Sequence, residues 1–416
     1  MARIFSSSVF HVIRIRDFRL FLFFRSFLTM ATLMQSVIVG WHIYSLTQNV
    51  LTLGMIGLTE VIPQVSIALF AGHFVDLWDR KKIIQFATFL LIIGSAILVL
   101  YSIPAVGGYQ KYGTLPIYIT IFITGLVRGI LMPAHTALLG QLVNREQLTS
   151  AATWSSTNWQ VAAVLGPAIG GLIYGFYGVV SAYCTVFVFY VAAFVLASRI
   201  RVTKIPVSAG NGENIFLRIN EGIRFVFRNQ VLLGSFALDM FAVFFGGAVA
   251  VLPVFTSEVL KSGPESLGIL RACPAVGAII MSTFLTVRPP MHKTGQSMLL
   301  AVAGFGVCMI VFALSTNFYL SAIALLLSGS LDNVSVVVRA SVLQILTPDE
   351  MKGRVAAVNS IFVGSSNELG AFESGAAAKI MGLVPSVLFG GSMTLLAVII
   401  AAKKAPLLRK LSLKLV

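Results

Sequence analysis

The stretch RKKIIQFATFLLIIGSAILVLY, residues 80–101, sets three cations directly before nineteen residues that carry no charge. As a helix those nineteen residues rise about 28 Å, close to the ~30 Å of a bilayer's hydrocarbon core. The stretch therefore reads as a membrane crossing with its basic end at one surface. The remainder of the chain has the same character. Of its 416 residues, 57% are hydrophobic and only 11% charged, and the mean hydropathy is +0.92. A soluble domain carries about 25% charged residues. An ordinary soluble enzyme and a disordered chain are both excluded, and a polytopic membrane protein is implied.

Apolar runs of this kind occur twelve times, at 18–46, 50–77, 82–103, 116–143, 149–176, 178–199, 231–257, 266–288, 294–315, 318–346, 352–380 and 384–402. The fold class expected is all-α, with twelve transmembrane helices in two pseudo-symmetric bundles of six. The division is 1–200 for the N-terminal bundle, 201–230 for a cytoplasmic linker and 231–416 for the C-terminal bundle. Within the linker, residues 214–228 space apolar and basic side chains at helical intervals. That pattern fits an amphipathic helix lying on a membrane surface.

The charges fix an orientation. Of 30 Lys and Arg, 23 fall in the termini and in alternate loops, two in the opposite loops (Lys111 and Lys261), and five inside spans. By the positive-inside rule both termini are cytoplasmic, in a multi-pass protein of the inner (plasma) membrane. The same distribution explains the net charge of +15 without a nucleic-acid partner. Cys184, Cys273 and Cys308 are scattered in apolar runs, so no disulfide framework and no metal or cofactor site is expected. The basic N-terminus leads into span 1 without a cleavage signal and reads as retained.

An internal repeat joins the two halves. Adding 204 carries Gly125, Glu146, Ala152, Ser156, Leu165, Gly166 and Gly171 onto Gly329, Glu350, Ala356, Ser360, Leu369, Gly370 and Gly375. Repeats of this kind are common in transporters.

Three motifs carry a family resemblance. Loop 2–3 reads GHFVDLWDRKK from Gly72, and Gly72, Asp76, Arg80 and Lys81 match a G-x-x-x-D-R-x-G-R-[RK] signature, with Leu77 and Asp79 departing from it. Span 5 contains Gly166, Pro167, Gly170 and Gly171, the end of a G-P-x-x-G-G motif. Loop 10–11 runs from Leu343-Gln344 through Thr347-Pro348 and Met351 to Gly353-Arg354. Together they resemble the major facilitator superfamily of secondary transporters, in its drug and siderophore exporter branch of enterobactin-exporter-like proteins. The resemblance implies that the loop 2–3 motif is a cytoplasmic latch, with Asp76 facing the positive end of a helix; simple membrane anchoring by the basic residues is the alternative. It also implies that the span 5 motif belongs to efflux-type members. Small residues there favour close packing, and Pro167 weakens the backbone so that the helix can bend.

Ionisable side chains inside spans are costly and normally face a cavity or a partner. Arg128 and His135 on span 4 are seven apart, as are Asp332 and Arg339 on span 10, and the 204 offset superposes the two sets. With Arg25 on span 1 they are the expected cavity residues, the alternative being internal staples. Asp239 on span 7 lies at a depth comparable to Arg25. Glu60 and Gln64 sit i, i+4 on span 2. On span 11, Glu368 and Glu373 are rotated about 140° apart, so they serve different faces.

No Walker A, Rossmann or covalent-nucleophile pattern is present, so an enzyme and an ATP-driven pump are not expected. A carboxylate in low dielectric holds a proton more readily than in water, and pairing with Arg128 or Arg339 makes substrate and proton competitors. Asp239, Asp332, Glu368 and Glu373 are the proton-coupling candidates. The cationic bias of Arg25, Arg128, His135, Arg271 and Arg339 suits an anionic compound, and Trp41, Trp154 and Trp159 supply rings for an aromatic one or anchor the spans at the interface. The reading is a monomeric, proton-coupled exporter of a siderophore or similar amphipathic small molecule, with protons and the bilayer as its other partners. The alternatives are a broad drug or lipid exporter, or an importer.

Overall fold

A computed structural model describes residues 12–202, 215–288, 292–348 and 351–413. Among them there is no strand. The long helices, in chain order, are α1 (Arg16–Thr47), α2 (Val50–Leu77), α3 (Arg80–Ser102), α4 (Leu115–Leu142), α5 (Leu148–Arg199) and α6 (Ile215–Arg228). They continue with α7 (Gln230–Gly246), α8 (Pro264–Val287), α9 (Thr294–Leu314), α10 (Phe318–Leu346), α11 (Lys352–Met381) and α12 (Leu383–Lys404). Among the described residues, ten helices are long and apolar enough to cross a membrane, one of them being the 52-residue α5. A straight helix of that length would rise about 78 Å, more than twice a bilayer core. It does not stay straight. Gly178 has φ 81° and ψ 174°, a conformation that glycine alone adopts without a steric penalty, and it divides α5 into two limbs where spans 5 and 6 are expected to separate.

Local chemistry sets several other boundaries. Asp79 accepts hydrogen bonds from the amides of Lys81 and Lys82 and caps α3. Asn229 caps α7 and Asn317 caps α10 in the same way. Span 7 departs from expectation. Its apolar run predicts one helix as far as residue 257, but α7 ends at Gly246. The chain then passes through a non-helical Gly247, a 3₁₀ turn at Ala248–Ala250, a short turn at Leu252–Val254 and a π-helical segment at Phe255–Val259. The Gly246-Gly247 pair lowers the cost of leaving the helix, and Pro253 has no amide with which to continue it.

The chain divides into two compact units. One comprises 1–46, 59–210 and 263–268; the other comprises 47–58, 211–262 and 269–416. In the first, Phe18, Phe21, Phe24, Tyr183 and Tyr190 are fully buried. In the second, Val226, Phe236, Met298, Val338, Val342, Val355 and Leu408 share one core. Each unit also exposes large apolar side chains, including Phe86 and Leu100 on α3 and Leu300 and Leu314 on α9. Faces of this kind would drive aggregation in water and are at home against acyl chains.

The repeat has a structural counterpart. In the first unit Gly125 on α4 lies against the Glu60–Pro63 turn of α2, and Gly166 on α5 lies against Met30 of α1. In the second unit Gly329 on α10 lies against Pro274 of α8, and Gly370 on α11 lies against Phe244 of α7. Residues 204 apart therefore make the same helix-to-helix approach within their own units.

Candidate functional site

The first unit carries polar groups on four helices. Arg128 of α4 forms an ion pair with Glu60 of α2. The arginine side chain is 42% exposed and the glutamate 14%, so the pair is not sealed. Arg25 of α1 donates to the Ser155 hydroxyl on α5, and one residue on, Ser26 donates to Asn158, whose amide bonds the Leu22 carbonyl. His135 lies edge-on to the rings of Phe21 and Phe24, at 6.2 and 5.4 Å between centroids. Its Nε2 is buried without a hydrogen-bond partner among the described residues. Deeper in, Gln35 donates to Thr124 at 3.1 Å.

The second unit contains a tighter arrangement. Asp239 of α7 pairs with Arg339 of α10, and Ser335, one turn before Arg339, donates to the other carboxylate oxygen at 3.1 Å. Both charged side chains are almost wholly enclosed, at 4 and 8% exposure. Near the break after α7, Ser374 of α11 donates to the Gly247 carbonyl at 3.1 Å. A cavity of about 10 Å³ lies there, between Phe245, Gly246, Ala248, Ser374, Ser386 and Val387.

The arginine of each sequence-matched set therefore finds a partner on another helix. Arg339 is engaged by Asp239 and Arg128 by Glu60, while His135 lies against Phe21 and Phe24 and Asp332 is half-buried on α10. Glu368 and Glu373 are half-buried on α11, and the Glu368 carbonyl lies close to Gly57 of α2. Sequence reasoning misses Ser335 and Ser155. Ser335 lies between Asp332 and Arg339 on the same helical face, which is its one available signal. Ser155 has none beyond its place in span 5.

The motifs are only partly described. Gly72 and Asp76 fall in the last turns of α2, and the side chain of Asp76 lies outside the described residues. Lys81 donates to the Ser198 carbonyl at the end of α5, at 2.9 Å, and the Arg80 Nε is buried without a partner among the described residues. In span 5 the glycines serve as contact surfaces. A Cβ on Gly166 would sit 3.0 Å from the Met30 carbonyl, on Gly170 3.1 Å from the Met34 Cα, and on Gly171 2.6 Å from the Gly268 Cα. The linker helix α6 packs on the start of α11, where Glu221 pairs with Arg354 of the loop 10–11 motif.

Known proteins agree with this architecture. The family described as transmembrane secretion effector matches residues 7–414. A staphyloferrin A transporter of Staphylococcus aureus (strain NCTC 8325 / PS 47) is 24% identical over 59% of the chain and 61% of its own length. An enterobactin exporter of Salmonella choleraesuis (strain SC-B67) is 26% identical over 69% of the chain and 67% of its own length. A macrolide efflux protein A of Streptococcus pyogenes is 22% identical over 94 and 95%. The chain thus spans about two thirds or less of the first two relatives and nearly all of the third. Among solved structures, a POT family transporter in complex with 5-aminolevulinic acid superposes with a TM-score of 0.76 at 11% identity, covering 95% of this chain and 97% of that one. A bacterial homologue of the iron transporter ferroportin superposes with a TM-score of 0.69 at 15% identity, over 94 and 99%. With helices and no strand among the described residues, apolar exposed faces, a repeated helix-packing scheme and a family match over nearly its full length, this chain belongs to the transmembrane secretion effector family of the major facilitator superfamily.

Proposed function

We propose that the protein is a proton-coupled exporter of a siderophore or a similar amphipathic, anionic small molecule, working by alternating access. In this reading it has twelve spans, acts as a monomer and keeps both termini in the cytoplasm. The observation that carries the proposal is the enclosed Asp239–Arg339 pair with Ser335. Protonation of Asp239 would free the Arg339 guanidinium for an anion, and loss of the proton would take it back. The same group then cannot hold both partners, which is the requirement for exchange. Arg25, Arg128 and His135 would extend the cationic surface in the first unit. Asp332, Glu368 and Glu373 remain candidates for carrying the proton. Gly72, Asp76, Arg80 and Lys81 would act as the cytoplasmic latch, and Gly166, Pro167, Gly170 and Gly171 as the efflux-type packing surface.

The names of the staphyloferrin A and enterobactin relatives favour a siderophore. A broad drug or lipid exporter is the second reading, favoured by the macrolide efflux relative, whose match spans nearly both chains; an importer is the third. The deciding experiment is a panel of labelled compounds in proteoliposomes with an imposed pH gradient: a catecholate siderophore, a hydroxycarboxylate siderophore, a macrolide and a lipid. Gradient-driven accumulation of the anionic siderophores alone supports the proposal. Accumulation of the macrolide or the lipid in their place overturns it.

A further inference from the structure

A single residue, Asn229, separates the end of α6 from the start of α7. The segment from Gln230 is apolar enough to cross a membrane, so α6 ends where that crossing begins, at the membrane surface. One face of α6 is already occupied. Gly222 and Val226 are buried, a Cβ on Gly222 would sit 2.9 Å from the Arg354 carbonyl, and Val226 belongs to the core that holds Phe236, Leu343 and Val355. Glu221, the one acidic residue in Ile215–Arg228, is engaged by Arg354.

The other side of the helix is open. Ile223 is 38% exposed and Phe227 57%, and Arg224 and Arg228 are exposed as well. At about 100° per residue, 223 and 227 form one strip and 224 and 228 form the strip beside it. An apolar strip bordered by cations suits the layer between acyl chains and headgroups, with apolar side chains below and guanidiniums at the level of the phosphates. With Glu221 tied to Arg354, the two arginines meet no opposing charge on their own helix.

We propose that this face of α6 binds anionic phospholipid, with Arg224 and Arg228 on the headgroup phosphates and Ile223 and Phe227 seated beneath them. The ligand class is a phosphatidylglycerol-like lipid, and the site is independent of the transported substrate. The Glu221–Arg354 pair links the bound helix to the start of α11.

Native mass spectrometry of the full protein released from mixed phosphatidylglycerol and phosphatidylcholine tests the site. The expected result is preferential retention of phosphatidylglycerol, reduced on the order of tenfold or more in R224Q/R228Q and retained in R224K/R228K. A Phe227→Trp variant, read against the parent protein, should also gain fluorescence that is quenched by lipids brominated on the acyl chain. Unchanged selectivity in the Gln pair overturns the proposal, as does fluorescence from the introduced indole that brominated lipid leaves untouched. Should the Gln pair fail to fold, Arg224→Gln alone carries the same reading.

Discussion

Arg339 and Asp239 are enclosed to within a few per cent of their surface, and each is the other's counter-charge. Removing one member leaves a buried charge uncompensated, at a cost of about 3–5 kcal/mol, whereas replacing both with apolar groups of similar volume is often neutral. Asp239→Ala and Arg339→Ala should each lower the thermal midpoint in detergent well below that of the Asp239→Leu/Arg339→Met double variant. Equal midpoints for all three would contradict the pairing. Arg128 and Glu60 behave differently at the same scale. Their pair is partly open, so it contributes about 1 kcal/mol or less. Arg128→Gln should therefore leave the midpoint nearly unchanged while reducing transport in proteoliposomes; a midpoint loss as large as that of Asp239→Ala would contradict this. Sequence could pick out Arg339, since a charge in an apolar run is conspicuous. Which of the four candidate carboxylates meets it was not legible, because periodicity relates residues of one helix and Asp239 arrives from another, a hundred positions away.

Gly329 and Gly140 separate two roles of glycine on helices. The backbone of Pro274 lies against Gly329, so a larger residue there must push α8 from α10, while Gly140 faces open space among the described residues. Gly329→Leu should lower the thermal midpoint sharply and Gly140→Leu should not; equal effects would refute the packing scheme. At the start of α3, Asp79→Ala removes the side chain that caps the Lys81 and Lys82 amides, a loss of about 1 kcal/mol of local helix stability. Hydrogen exchange of the first turn of α3 should accelerate severalfold, and unchanged exchange would dismiss the cap. Most element limits were legible because long apolar runs begin or end near them, as at the starts of α3 and α10 and at Gly178. The break after α7 was not. Its residues stay apolar throughout, and hydropathy does not register where a backbone leaves the helix.

At the scale of the whole molecule, the sequence discloses a resemblance to a transporter superfamily through three short motifs, and the kinship of its two halves through residues that recur at a fixed offset. Substrate and driving force are not written there. They depend on which charges meet across helices and on what each does when protonated. The exchange account predicts that at least one carboxylate trades its proton for the cargo. The direct measurement is pH-gradient-driven accumulation of the best compound from the panel in proteoliposomes holding Asp239→Asn, Asp332→Asn, Glu368→Gln or Glu373→Gln. The account predicts that at least one of these loses accumulation against a gradient while still exchanging label at equilibrium. Full gradient-driven accumulation by all four would contradict it.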